Sequence, residues 1–175
     1  MPEIRSRLAL RSLALYTALV ACLAAVATPC GAQSAPPQDL STFPRASLTV
    51  LHRDAAHGAH AYHFNVWVAD TPARAEQGLM FVSDLPQSAG MVFPLVPPRL
   101  ERMWMKNTYI ELDMLFVNAA GRISKITPRA RPLTLDTLSS DAPVSAVVEL
   151  RGGEAARLSL SVGDLVSWTA ADAGH

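Results

Sequence analysis

The sequence predicts a mostly β (α+β) domain, a compact barrel-like or rolled sheet of about eight short strands with one or two short helices. Short apolar runs broken by turn residues dominate the chain after Ala46, which is the pattern of strands rather than helices. One segment, Thr71-Pro72 followed by ARAEQGLM, carries a helix start, with an N-cap hydroxyl and a proline at the first helical position. Many short strands in one small domain favour a rolled or closed sheet, because closure removes exposed edges.

The elements follow in chain order. Arg5, Arg7 and Arg11 precede an uncharged apolar run from Ser12 to Thr28, broken by Pro29 and followed by Cys30-Gly31-Ala32. That order, basic then apolar then small, is the order of a secretory signal peptide over residues 1–32, cut after Ala32. Two other readings stay open: an uncleaved anchor helix, and lipidation at Cys22 in Leu19-Val20-Ala21-Cys22. In each case the remainder is exported, to the periplasm or the extracellular space, and membrane contact runs only through an uncleaved N-terminal segment. Residues 33–46 (QSAPPQDLSTFPRA) read as a disordered linker, residues 47–170 as one domain, and 171–175 as a disordered tail.

Within the domain, Ser47–Leu51 and Tyr62–Val68 form a hairpin around Gly58. Apolar matching pairs Leu48 with Val66, Val50 with Phe64 and His52 with Tyr62. After the helix come strands over Met91–Leu95, Met103–Lys106, Leu112–Val117, Arg122–Ile126, Val144–Leu150 and Asp164–Trp168. Ala119-Ala120-Gly121 makes a turn, and Glu154–Leu158 one helical turn.

Composition narrows function. Lys and Arg number fifteen, as do Asp and Glu, so no basic surface stands out for nucleic acid. Cleavage after Ala32 removes both cysteines, Cys22 and Cys30, and leaves twelve basic and fourteen acidic side chains. The exported chain then has neither thiol nor disulfide and is held by its core alone. There is no G-x-S-x-G, P-loop, H-E-x-x-H or dinucleotide fingerprint, and no cofactor is implied.

Two clusters invite a metal reading. His52, His57, His60 and His63 lie within twelve residues, but the hairpin sends His63 to the face opposite His52 and leaves His57 and His60 at the turn. Met80, Met91, Met103, Met105 and Met114 supply soft thioethers, yet each lies in an apolar run where it serves as core filler. Copper or zinc binding therefore stands as a secondary reading, with no ligand set assigned.

Met103–Asp113 (MWMKNTYIELD) is the most informative stretch. Lys106 is one of two lysines beside thirteen arginines, and it stands among apolar neighbours, where a charge is costly unless paired. Asp113, across a turn, is the expected partner. The candidate site combines Arg74, Trp104, Lys106, Asn107 and Asp113, with Glu149 as a further acid.

The same stretches carry a family likeness: R-A-E-Q-G-L-M at Arg74–Met80, G-M-V-F at Gly90–Phe93, W-M-K-N-T at Trp104–Thr108, L-D-M-L-F-V at Leu112–Val117, A-V-V-E-L at Ala146–Leu150 and G-D-L-V at Gly163–Val166. The chain resembles the domain of unknown function 192 family. That resemblance implies a small, mostly β, barrel-like domain, often behind a signal peptide, and no established activity. The resulting expectation is a cell-envelope binding or accessory module that takes a small polar ligand or an envelope protein. The alternatives are a hydrolase or lyase using Lys106 and Asp113 for proton transfer, and the metal-binding protein above.

N-terminal sequencing of exported material should begin at or near Gln33. A lipidated Cys22 or a retained Met1 would overturn the cleavage reading.

Overall fold

The structure, a computed structural model, describes residues 39–54 and 58–170; the leader, most of the linker, His57 and the tail lie outside the described residues. The chain runs through a short 3₁₀ turn (Leu40–Thr42), β1 (Arg45–Asp54), β2 (Gly58–Val68), α1 (Pro72–Gln77), β3 (Ala89–Arg99) and β4 (Arg102–Met103). It continues with β5 (Leu112–Val117), β6 (Ile123–Ala130), β7 (Leu138–Ser139), β8 (Val144–Arg151), α2 (Glu154–Arg157) and β9 (Leu165–Ala170).

Seven strands form one sheet in the order β6-β5-β8-β3-β2-β1-β9, and β4 pairs with β7 beside it. Only β2 and β3 run parallel, joined across α1; the other neighbours are antiparallel. The edge strands β6 and β9 approach at one corner, where Arg122 bridges Leu165 and Val166 N–H donates to the Gly121 carbonyl at 2.7 Å. The sheet is rolled but not closed into a barrel.

Strand alternation divides the interior into two cores. Leu48, Val66, Val92, Leu115, Val148 and Leu150 face the inside of the roll, where Ala155 and Leu158 of the α2 segment cover them. Met91, Phe93, Met105, Met114, Phe116 and Val147 face the other side, covered by Leu79 and Leu85 from the segment after α1. Leu112–Val117 is buried throughout, as a strand packed on both faces must be.

The hairpin forms with a register two residues tighter than apolar matching predicts: Leu48 faces Phe64, Val50 faces Tyr62 and His52 faces His60. Gly58, at φ 84°, lets the ladder continue to Asp54↔Gly58. A two-residue shift leaves every side chain on its expected face, because the strand period is two.

Two expectations are corrected. Met103–Lys106 is not a strand beyond Met103. Met105 is driven into the core and Asn107 takes φ 54°, so Trp104–Thr108 is a turn, held by Phe81 N–H donating to the Asn107 carbonyl at 2.8 Å. Asn tolerates this left-handed conformation better than most residues. The linker also ends before Ala46: Asp39 caps the 3₁₀ turn, Phe43 is buried, and β1 starts at Arg45.

The expected Lys106–Asp113 pair does not exist. Asp113 projects from β5 toward the inside of the roll, opposite to Leu112 and Met114, while Lys106 is exposed in the turn on the other side. Asp113 is fully buried and is satisfied by backbone instead. Its Oδ1 accepts from Arg129 N–H at 2.8 Å and Gly153 N–H at 2.9 Å, and its Oδ2 from Ala155 N–H at 2.7 Å. It thereby supplies an acceptor to the first turn of α2, where Gly153 provides no side-chain cap.

Asp113→Ala should therefore destabilise the domain by roughly 2–4 kcal/mol, since three buried N–H donors lose their acceptor. Lys106→Ala should change stability by less than about 0.5 kcal/mol. Urea denaturation of both variants checks this, and equal losses would restore the ion-pair reading.

Candidate functional site

On the face opposite α2, a cleft of about 670 Å³ opens between α1, the outer part of β3 and the Trp104 turn. Its floor is Glu149 on β8, together with Phe93 and Leu79. One wall comes from α1 and its approach, Asp70 to Met80. The opposite wall is a bulge: β3 pairs with β8 at Pro94↔Ala146 and again at Arg99↔Val144, so residues 95–98 stand against Ser145 alone. Pro97 and Pro98 have no N–H to give a ladder, and the bulge carries Val96 out into solvent. Trp104, 48% exposed, and Met103 complete the rim.

α1 reaches the floor because of Gly78. This residue ends the helix at φ 51°, and a Cβ there would lie 3.3 Å from the Phe93 ring and 4.0 Å from Glu149 Oε2. Any other residue would be strained in φ and would press on the floor. The start of α1 is as the sequence predicts, with Thr71 Oγ1 accepting from Arg74 N–H at 3.3 Å and Pro72 in the first turn.

Glu149 is the chemically unusual group. It is 4% exposed, lies across from Met91 on β3 and Met114 on β5, and its Oε2 has no hydrogen-bond partner among the described residues. Burial disfavours the charged form and pushes its pKa up to about 8, so the carboxyl is mainly protonated at neutral pH. The other charged groups of the cleft form its walls and mouth: Asp70, Glu76, Arg99, Glu101 and Arg102. Asp70 pairs with Arg74 at 2.6 Å, and Arg99 with Glu101 at 2.9 Å.

Of the six candidate residues, the cleft gathers Trp104 and Glu149. Arg74 lies outside the lining; besides pairing with Asp70 it donates to the Thr42 carbonyl at 3.0 Å and stacks over Phe43, joining α1 to the 3₁₀ turn. Asn107 contacts Met80 Sδ at 3.9 Å behind the wall. Lys106 and Asp113 contribute nothing to the lining: Lys106 is exposed in the turn, and Asp113 projects to the opposite side of β5. Sequence reasoning missed Thr108, Glu101 and Arg102. The hints of the cleft were the acid inside the apolar run A-V-V-E-L and Trp104 in W-M-K-N-T.

Among the described residues the histidines do not meet. His52 Nδ1 lies 3.0 Å from both carboxylate oxygens of Asp164, His60 stacks on Tyr62, and His63 Nδ1 lies 3.0 Å from Thr49 Oγ1. Among the described residues no three His, Cys, Asp or Glu side chains are placed to hold one metal ion. Met91, Met105 and Met114 are core, whereas Met80 and Met103 line the cleft.

The raised Glu149 pKa has a sign that can be measured. The folded state holds this proton up to about pH 8, whereas the unfolded chain releases it near the ordinary glutamate value of 4.5. Stability from this group is thus full at acid pH and falls between those two values. Glu149→Gln should flatten that fall and be more stable than the unmodified protein at pH 9. Thermal melts at pH 5, 7 and 9 check it, and parallel curves for the two proteins would contradict it.

Comparison with known proteins bears on the domain as a whole. A protein from Sinorhizobium meliloti 1021, described as a candidate transcription regulator, is 34% identical with a TM-score of 0.67, over 72% of this chain and 95% of its own. A protein of unknown function from Novosphingobium aromaticivorans DSM 12444 is 35% identical with a TM-score of 0.67, over 76% of this chain and 91% of its own. Among curated proteins no match is found. The family model described as domain of unknown function 192, uncharacterized ACR, matches residues 53–168.

Proposed function

Because this chain belongs to the domain of unknown function 192 family, whose description assigns no activity, we propose its function from the cleft: it is a binding module that takes a small molecule against Glu149 and Trp104. The observation that carries this is the orphaned carboxyl oxygen of Glu149 at the floor of an open concavity. A buried polar group without a partner costs stability, and a site that binds something is where such a cost is kept. The half-exposed indole beside it offers a flat apolar platform.

The leader-like order of residues 1–32 supports placing this module in the cell envelope. Proton transfer by Lys106 and Asp113 finds no support, since the two groups lie on opposite sides of the sheet and Asp113 is saturated by N–H donors. The regulator description of one neighbour is not carried over, because balanced charge gives no net attraction to a DNA backbone.

A fragment library screened by thermal shift, with hits mapped by amide and indole NMR shifts, tests the reading. Hits should move the Trp104 indole and the Gly78–Met80 amides. Glu149→Gln or Trp104→Ala should weaken them about tenfold, while Lys106→Ala leaves them within about twofold. Hits that map elsewhere, or a library with no hits, would refute the cleft as the binding site.

A further inference from the structure

Resting on that reading, we propose that the ligand is a small organic cation, an apolar or aromatic body bearing a primary ammonium group. The ammonium docks on the Glu149 carboxylate and the body lies along Trp104. Three observations converge on this class.

The first is the floor. Glu149 lines the cleft, its buried Oε2 has no partner among the described residues, and its cross-strand neighbours, Met91 and Met114, carry no charge. An ammonium group supplies the missing counter-charge and the hydrogen bonds together.

The second is the balance of the surrounding charges. Asp70, Glu76, Glu101 and Glu149 line the cleft against Arg99 and Arg102. Arg99 is engaged by Glu101, and Asp70 by Arg74 outside the lining. With Glu149 protonated, the lining still holds three carboxylates against two guanidinium groups, an excess that attracts a cation and repels an anion.

The third is the wall. Trp104, Phe93, Met80 and Met103 give polarisable apolar surface, which suits an organic cation through cation–π attraction and burial of its body. A divalent metal needs convergent oxygen or nitrogen ligands, and no group of three is placed for one among the described residues.

Docking then exchanges one positive charge for another. Near neutral pH the carboxyl of Glu149 holds a proton, the incoming ammonium is already charged, and on binding that proton leaves for the buffer while the carboxylate pairs with the ligand. The groups facing the exchange are uncharged Met91 and Phe93 from β3, Met114 from β5, Glu76 from α1, Asp70 before it, and Arg99, Glu101 and Arg102 at the mouth.

Isothermal titration of the exported protein with phenethylamine, phenethyl alcohol and phenylacetate, each at pH 6, 7 and 8 in phosphate and in Tris, is the test. Phenethylamine should bind tightest, gain close to tenfold in affinity from pH 6 to 7, gain less from 7 to 8, and release close to one proton below pH 7. Glu149→Gln should weaken it at pH 8 and abolish both the pH dependence and the proton release. If phenethyl alcohol or phenylacetate binds the cleft as tightly, or phenethylamine binds without proton release, the cation is the wrong class while the cleft remains a binding site. If none of the three binds at the cleft, the cation proposal fails and the binding reading loses its support with it.

Discussion

Asp113 is the constraint from which the rolled shape follows. An aspartate near the start of a strand buried on both faces is untenable unless donors come to it. The chain brings three N–H groups from two places distant in sequence: the end of β6 at Arg129, and the β8–α2 corner at Gly153 and Ala155. Because all three converge on one carboxylate, the corner must fold tightly over the end of β5. Gly152 fits there with its N–H on the Glu111 carbonyl at 2.8 Å, in a space a Cβ would share with Glu111. α2 is thereby held over the inner core, where Ala155 and Leu158 complete it.

The neighbouring strand holds the opposite case. Glu149 is nearly as buried as Asp113, one strand over and on the other face, and its Oε2 has no donor brought to it. The two acids show how burial alone decides little. Where backbone donors surround a carboxylate, it organises the fold; where apolar side chains surround it, it takes up a proton and waits on the ligand proposed for it. The first stabilises the molecule, and the second leaves part of the stability dependent on pH.

Much of the fold was legible because local pattern and tertiary demand agree. Leu112–Val117 is a strand at the predicted bounds, and Thr71-Pro72 opens α1 with the predicted cap. The ladder of β1 and β2 differs only by a shift that keeps each residue on its face. The failures have a common cause. W-M-K-N-T looks like a continuing strand, but the pull of Met105 into the outer core and the left-handed Asn107 bend it. β7 has two residues and no local signature; it exists because β4 lies beside it. Phe43 belongs to the core, although the prolines and serines around it read as tether.

The site divides in the same way. By itself the sequence determined the mostly β class, the family, the position of the helix, and the presence of two acids in apolar runs at Asp113 and Glu149. Only the tertiary structure decided which acid is structural and which faces a cleft. The two positions differ in strand parity relative to the sheet and in whether backbone N–H groups from elsewhere in the chain can reach them. Neither property is local, so Lys106 seemed Asp113's partner on the strength of seven residues' separation, whereas its true partners lie sixteen, forty and forty-two residues away.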